Sequence, residues 1–167
     1  MIKNGQVYRD TDRNSDYEDL AVYSDGSFKT FKESDTTAQK LVDSGVVNTF
    51  AFGPTLVENG KVAVSENEEV GQDMADNPRT AIVVNEESDR SVHYIVIVSD
   101  GRTSESSGLT LYEMADLMKS YGVTTAYNLD GGGSSTMYFN GQVINKPTTN
   151  GNKISERAVS DIVYIGY

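Results

Sequence analysis

The chain has 167 residues, a length that suits one domain with its own hydrophobic core. Its formal net charge of −11 and its lack of a Lys/Arg cluster argue against nucleic acid as a partner. The sequence has no cysteine, which excludes disulfides, a thiol nucleophile and a thiolate metal site, and no apolar run long enough to cross a membrane. We therefore expect a soluble domain without membrane insertion, and the composition does not indicate its oligomeric state.

The first third of the chain is predicted to form β-hairpins and one short helix. Asp25-Gly26 and Asn59-Gly60 are hairpin turn signals, and each lies between two short apolar runs. Residues 34–44 are predicted to form a helix that its first or second residue caps. Residues 46–52 are predicted to be a buried strand, and the polar, acidic residues 66–77 a mobile loop.

The second half is predicted to contain a strand–helix–strand unit. Residues 81–84 and 93–98 are β-branched runs on either side of a polar turn. Thr110 starts a helix, and Glu113, three residues later, completes a capping box. The inner face of this helix is predicted to consist of Leu111, Met114, Ala115, Leu117 and Met118.

The rest of the second half adds three β elements. A strand over 124–129 follows the helix, residues 139–143 are a hairpin turn, and residues 161–165 are predicted to form a closing strand. Hairpins combined with one strand–helix–strand crossover predict an α+β fold with a mixed β-sheet.

The crossover is predicted to bring two carboxylates to one edge of the sheet. A helix of this length allows the flanking strands to run parallel, so their C-terminal ends share an edge. Asp100 follows the first strand and Asp130 follows the second. If the two strands are direct neighbours, the carboxylates are roughly 5–10 Å apart, the range in which pairs of glycosidase carboxylates act. This edge is the predicted binding site.

A glycine run follows Asp130. Residues 128–135 read Asn-Leu-Asp-Gly-Gly-Gly-Ser-Ser and lie between two predicted strands. Such a loop suits a site where backbone N–H groups bind an anion. It is not a P-loop, because it has no lysine and a strand follows it. The alternative interpretation is a tight surface turn.

Charged residues near other predicted strand ends have two interpretations each. Arg79, Arg102 and Arg157 are candidate phosphate ligands. The alternative for Arg79 is an ion pair with a surface acid, and the alternative for Asp100-Gly101-Arg102 is an ordinary turn. Glu156 is either half of a solvated charge pair or an acid or base beside a phosphate. His93 is the only histidine and is expected to be structural, so we predict neither a metal site nor a cofactor.

Several motifs occur together in the order that one family shows. They are Asn77-Pro78-Arg79-Thr80-Ala81, Asp100-Gly101-Arg102, Ser107-Gly108-Leu109-Thr110-Leu111, the run 128–137, Asn140-Gly141, Asn145-Lys146-Pro147 and Glu156-Arg157-Ala158-Val159-Ser160. From about residue 50 to residue 167 the chain thereby resembles the phosphodiester glycosidase family. This is the family of the lysosomal uncovering enzyme and of bacterial proteins labelled for exopolysaccharide biosynthesis.

The resemblance implies a reaction and a set of site residues. The reaction is hydrolysis of a sugar-1-phosphodiester at the glycosidic C1–O bond, which leaves a phosphomonoester. The motifs carry the site over to Arg79, Thr80, Asp100, Arg102, Asn128, Asp130, Gly131, Gly132, Gly133, Ser134, Ser135 and Arg157.

Our mechanistic hypothesis assigns roles within that set. The glycine-loop N–H groups and the arginines hold the phosphate. Asp130 faces the anomeric carbon, with Asp100 or Glu156 as the second carboxylate, and Asn128 binds a sugar hydroxyl. The competing hypotheses are a non-catalytic glycan- or phosphate-binding module and a structural domain of a cell surface or phage particle.

The resemblance also bears on the extent of the domain. Residues 1–167 are predicted to form a single phosphodiester-glycosidase-like domain. Family members carry an Asn-Gly-containing strand ahead of the segment that resembles residues 1–8, and it stays open whether this domain lacks that strand. The parent protein is expected to be extracellular or at the cell surface.

Overall fold

The computed structural model describes residues 1–12, 14–67, 76–86, 91–150 and 153–166. In chain order the strands are β1 (Ile2–Lys3), β2 (Gln6–Val7), β3 (Glu18–Tyr23), β4 (Phe28–Lys32), β5 (Val46–Ala51), β6 (Thr55–Glu58), β7 (Lys61–Val62), β8 (Arg79–Glu86), β9 (Val92–Ser99), β10 (Thr125–Leu129), β11 (Tyr138–Phe139) and β12 (Gln142–Val143), and the α-helices are α1 (Ala38–Asp43) and α2 (Leu111–Ser120). The predicted α+β class, with its hairpins and one strand–helix–strand crossover, is confirmed. Neither α-helix in these ranges has the length and hydropathy of a membrane span.

A five-stranded sheet in the order β7-β6-β10-β8-β9 forms the centre of the molecule. Its strands are connected by hairpins and by one crossover. Each described strand pair in it is antiparallel. Because β10 and β9 both pair antiparallel with β8, they run parallel to each other, as the crossover predicts. The condition for a carboxylate separation of roughly 5–10 Å, namely that the two strands are direct neighbours, is not met, because β8 lies between them and separates their axes by about 10 Å.

Helix α2 covers one face of this sheet. Thr110 Oγ1 accepts a hydrogen bond from the Glu113 N–H and the Glu113 carboxylate accepts one from the Thr110 N–H, so the capping box is confirmed. Four predicted inner-face residues (Leu111, Met114, Ala115 and Met118) are buried against the sheet. The prediction for Leu117 is wrong, because six residues after Leu111 the helix has turned this side chain towards solvent.

A second, three-stranded sheet in the order β4-β3-β5 packs on the other face. Together with β1, β2 and α1 it makes what we call the N-terminal unit. Successive side chains of β10 point to opposite faces of the five-stranded sheet and so contact both neighbouring layers. Ala126 packs towards α2, and Tyr127 packs among Leu20 and Phe28 of the second sheet. The Tyr127 hydroxyl donates to the Glu18 carbonyl at 2.8 Å, which fixes the two sheets together.

Three local predictions need correction. Helix α1 begins only at residue 38 with Thr37 as its cap, because residues 33–35 form a separate 3-10 turn. Strand β5 is half-buried rather than buried, since it is an outer strand of the second sheet. The predicted closing strand over 161–165 is absent: its apolar side chains are exposed, and no described strand provides it with a hydrogen-bonding ladder. Most of the two predicted loops, residues 68–75 and 87–90, lies outside the described residues.

Candidate active site

Three strand ends meet at one edge of the five-stranded sheet, which we call the rim. Strands β9 and β10 end there and β8 begins there, as the register of Arg79 with Ser99 and of Thr80 with Leu129 shows. Asp100 and Asp130 are therefore both at the rim, one strand apart.

The Asp130 carboxylate organises the glycine loop. Its Oδ1 accepts the Gly131 N–H at 2.8 Å, and its Oδ2 accepts the Ser134 hydroxyl at 2.7 Å. Arg157 Nη1 donates to the same Oδ2 at 2.9 Å, and the Asp130 side chain remains 43% exposed. Asp130 is thus a fixed carboxylate with a cationic partner and access to solvent.

Close packing explains the three consecutive glycines. A Cβ on Gly131 would lie 2.6 Å from the Pro78 carbonyl oxygen, and a Cβ on Gly133 would overlap the Thr149 side chain. Gly132 has φ +62° and a Cβ there would lie 3.1 Å from one guanidinium nitrogen each of Arg102 and Arg157. The two arginines therefore flank the middle glycine.

The amides of the loop are largely used within the protein. The Gly132 N–H donates to the Pro78 carbonyl at 3.0 Å, and those of Ser134 and Ser135 donate to carbonyls of the loop itself. With Gly131 bound to Asp130, the Gly133 N–H alone among the amides of residues 131–135 donates to no described acceptor. Most amide donors of the predicted backbone anion site are therefore occupied within the protein, and the guanidinium groups of Arg102 and Arg157 are the cations beside the loop.

Arg102 is held in a fixed orientation at the rim. Its Nε and Nη2 donate to Asn77 Oδ1 at 2.9 and 2.6 Å, and its Nη1 donates to the Thr149 carbonyl at 2.8 Å. These contacts orient the planar guanidinium beside Gly132. Asn77 is not among the predicted site residues, although it belongs to the Asn77-Pro78-Arg79 motif.

Several predicted site residues lie beneath the rim. Arg79 is buried and its Nε donates to the Leu109 carbonyl at 2.9 Å. The Thr80 hydroxyl donates to the buried Ser135 hydroxyl at 3.0 Å. Asn128 is buried and donates to the Gly53 carbonyl at 2.7 Å. Of these contacts, the one between Thr80 and Ser135 supports the loop directly, and the other two fix neighbouring segments below the rim.

Asp100 is connected to the glycine loop through Asn145, which is not among the predicted site residues. Asp100 Oδ1 accepts hydrogen bonds from Asn145 Nδ2 at 3.0 Å and from the Lys146 N–H at 2.8 Å. Asn145 Nδ2 also donates to the Ser135 carbonyl at 2.7 Å, and its Oδ1 accepts the Met137 N–H at 2.8 Å. Its position in the Asn145-Lys146-Pro147 motif was the signal available in the sequence.

The charged groups beside Asp100 and Asp130 complete the rim. The Glu105 carboxylate hydrogen-bonds Lys146 Nζ and raises the pKa of that ammonium, with a smaller contribution from Asp100. Glu156 is exposed, and the next residue, Arg157, donates its N–H to the Gly133 carbonyl at 2.9 Å. Within the described ranges, no group of three or more His, Cys, Asp or Glu side chains is placed to hold a metal ion.

A family model described as "Phosphodiester glycosidase" matches residues 1–166. The chain belongs to the phosphodiester glycosidase family. The match includes the N-terminal unit, which the motif resemblance did not reach. Glycosidase-type hydrolysis is the broad class of activity that this family membership supports.

The curated relatives are longer proteins. The SPbeta prophage-derived uncharacterized protein YomE of Bacillus subtilis (strain 168) is 35% identical over 169 residues, which cover 100% of this chain and 25% of that protein. The N-acetylglucosamine-1-phosphodiester α-N-acetylglucosaminidases of Mus musculus and Homo sapiens are 32% and 31% identical over 105 residues, 56% of this chain and 19% of each enzyme. This phosphodiester glycosidase domain therefore spans 19–25% of the length of these relatives.

Solved structures share the fold. The catalytic domain of zebrafish N-acetylglucosamine-1-phosphodiester α-N-acetylglucosaminidase, auto-inhibited by its pro-peptide, superposes with a TM-score of 0.62 at 22% identity, covering 86% of this chain and 50% of that one. A hypothetical protein from Synechocystis superposes with a TM-score of 0.50 at 18% identity, covering 84% of this chain and 33% of that one. At these identities the likeness concerns the fold alone.

Proposed function

We propose that this domain hydrolyses the glycosidic bond of a sugar-1-phosphodiester carried by a bacterial glycan or a related substrate. The observation that supports the proposal most strongly is the setting of Asp130, which is fixed by Ser134 and Arg157 yet remains accessible at the rim. The names of the mammalian relatives specify the same class of bond. The expected extracellular or cell-surface location of the parent protein stays a prediction.

The arginines that flank Gly132 bind the phosphate in this proposal. A guanidinium has five N–H donors in a rigid plane, so Arg157 can bind Asp130 through one nitrogen and a phosphate oxygen through another. Arg102 approaches the same glycine from a position that Asn77 fixes. The phosphate then leaves C1 with its negative charge already neutralised, which lowers the barrier to bond breaking.

Two carboxylates act on the sugar in this proposal. Asp130 faces the anomeric carbon and stabilises the positive charge that develops on the ring as the C1–O bond breaks. Asp100 lies one strand further along the rim, and in this proposal the nucleophile is a water molecule between the two side chains. That water adds its hydroxyl to C1 and gives its proton to a carboxylate, while the phosphomonoester departs. Glu156 is the alternative second carboxylate.

Isotope labelling tests the reaction itself. We would incubate the protein with the p-nitrophenyl phosphodiester of N-acetylglucosamine in H2(18)O and analyse the products by mass spectrometry. The proposal predicts one labelled oxygen in the sugar and none in p-nitrophenyl phosphate. Label in the phosphate would show P–O cleavage and would refute a glycosidase mechanism.

A non-catalytic glycan- or phosphate-binding domain is the second candidate. The observation that favours it is that most amides of the glycine loop are satisfied within the protein, so they give no support to a developing negative charge. Calorimetric binding of N-acetylglucosamine-1-phosphate without turnover of the phosphodiester would support this candidate. A structural role in a phage particle, as the prophage origin of one relative suggests, predicts neither binding nor turnover.

A further inference from the structure

Strand β9 forms an open edge of the five-stranded sheet. It lies at the end of the strand order, and β8 is its one partner among the described strands. Its eight residues therefore present unpaired main-chain N–H and C=O groups along the outer side of the sheet. A long edge of this kind is a template for another strand, and proteins ordinarily cover it, shorten it or place charges on it.

The sequence of β9 has none of the features that protect an edge. Residues 92–99 contain no proline and no Asp, Glu, Lys or Arg, and their register with β8 is unbroken from end to end. Ile95 and Ile97 pack towards α2, while Tyr94 and Val96 pack towards the second sheet. A strand added at this edge would therefore extend a sheet that has apolar layers on both faces.

Residues 158–165, which we call the C-terminal segment, are a second element without a main-chain partner. The segment follows Arg157, whose N–H donates to the Gly133 carbonyl at 2.9 Å, and its own main chain makes no hydrogen bond to another described main-chain group. Each of its residues is exposed, and Ile162, Tyr164 and Ile165 are 75–81% exposed. A run of β-branched and aromatic residues with little charge and no proline is typical of a strand that pairs with another chain.

The open edge and the C-terminal segment match in length and in polarity. Both have eight residues, and Asp161 is the one formally charged residue in the two. Residues 162–165 read Ile-Val-Tyr-Ile and are apolar at alternate positions on both sides, which suits a strand covered on both faces. The chain has a net charge of −11, so two copies repel each other least where such weakly charged elements meet.

We propose that the C-terminal segment pairs with the outer edge of β9 in a second copy of this chain. The segment is not paired with β9 of its own molecule, so every copy offers both an edge and a strand to fill it. In a two-fold symmetric dimer each copy donates its segment to the other, which forms two ladders and leaves neither edge open. This inference does not depend on the proposed function.

Sedimentation velocity of the 167-residue chain at concentrations from about 1 to 100 μM tests the association. We expect a species with twice the 18.2 kDa mass of the monomer at the upper end of this range. Ile162→Pro/Val163→Pro removes two consecutive N–H groups, one of which faces the partner in a β-ladder, and should weaken the dimer at least about tenfold. The control Tyr138→Ala/Phe139→Ala truncates two exposed aromatic side chains of β11 and should leave the dimer unchanged.

Hydrogen exchange identifies the partner of the C-terminal segment. Its amides, and those of β9 that point away from β8, should be protected in the dimer and exchange at least about tenfold faster after dilution to the monomer. A monomer at every concentration with these amides protected would show that the segment pairs with β9 of its own chain, and would overturn the proposal. A monomer with unprotected amides would overturn it as well, as would a dimer that persists in the proline variant or dissociates in the control variant.

Discussion

Two carboxylates of this domain have opposite surroundings. Asp130, at the rim, is 43% exposed and hydrogen-bonded to Arg157 and Ser134. Asp19, in β3 of the N-terminal unit, is 7% exposed and lies beside the buried Glu33. Burial, followed by the charge and hydrogen bond of Glu33, raises the pKa of Asp19 to about 7, whereas Arg9 and the Met1 ammonium act in the opposite direction.

The difference separates a carboxylate suited to chemistry from one suited to structure. Asp130 has a cation and solvent beside it, so a substrate can reach a negatively charged oxygen. Asp19 is shielded from solvent and lies beside a second buried acid, Glu33, so its surroundings favour the neutral form of the Asp19 carboxyl. A surface depression of about 620 Å³ is lined by residues of the N-terminal unit that include Arg9 and Glu33 and by none from the rim. The charged groups of the rim, and not this depression, therefore define the candidate site.

The largest effect is expected from the arginines that pair with the two groups of carboxylates, Arg157 with Asp130 and Arg9 with Glu33 beside Asp19. Arg157→Ala should lower kcat/KM by about 100- to 1,000-fold, because it removes both the partner of Asp130 and a proposed phosphate ligand. Its free energy of unfolding should change by less than about 0.5 kcal/mol, since the ion pair is exposed. Arg9→Ala should have the opposite effects. Turnover should be unchanged, and the free energy of unfolding should fall by about 1 kcal/mol, because the buried Glu33 carboxylate loses its Arg9 partner. Equal effects of both variants on turnover would remove the distinction between the sites.

The glycine loop gives the next largest effect. In Gly131→Ala the new methyl group meets the Pro78 carbonyl at 2.6 Å, and backbone on both sides leaves little room for relaxation. We expect chemical denaturation to show a loss of about 2–3 kcal/mol. Gly5→Ala in the N-terminal unit, where a Cβ has nothing within 4 Å but φ is +73°, should lose only about 1 kcal/mol. A smaller loss for Gly131→Ala than for Gly5→Ala would show that the loop does not depend on close packing.

Asn145 tests whether Asp100 must be positioned. Asn145→Ala removes three hydrogen bonds that join Asp100 to the glycine loop and to Met137, and it should lower kcat by about 10- to 30-fold. The control is Gln39→Ala, which removes an exposed amide of α1 that donates to Asp43 at 2.9 Å. Unchanged turnover of Asn145→Ala would exclude Asp100 as the second carboxylate and would favour Glu156.

The pH dependence of stability provides the smallest expected effect. Folded protein holds the Asp19 proton more tightly than unfolded protein, so this stabilisation is present below the ordinary pKa of 3.8 and is lost as the pH rises towards about 7. Asp19→Asn should therefore be more stable than wild type by about 1–2 kcal/mol at pH 8. The difference should shrink as the pH falls towards about 4. Urea denaturation across this range measures it, and a difference independent of pH would contradict the raised pKa of Asp19.

The parts of the fold that local sequence determines were predictable. Asp25-Gly26 and Asn59-Gly60 do connect hairpins, and the Thr110–Glu113 capping box begins α2. The insertion of β8 was not predictable, because strand order depends on contacts between residues distant in the sequence. The 161–165 segment has strand-forming residues, but propensity makes no strand where no partner is available.

The candidate site shows the same division. The sequence located the carboxylates and the glycine run, since these residue types are informative by themselves. The sequence did not reveal that most loop amides donate to groups within the protein. This depends on packing of the glycines against Pro78 and Thr149, which are distant in the chain. The role of Asn77 was missed for a similar reason, because it accepts a hydrogen bond from Arg102, which lies 25 residues away in the sequence.

The contrast between the two carboxylates has one direct test. Hydrolysis of the p-nitrophenyl phosphodiester of N-acetylglucosamine should be measured for Asp130→Asn and Asp19→Asn, with the exposed Asp116→Asn on α2 as a control. We predict that Asp130→Asn loses at least about 1,000-fold in kcat, while the other two variants stay within about twofold of wild type. Wild-type turnover by a folded Asp130→Asn variant would contradict the central role of Asp130.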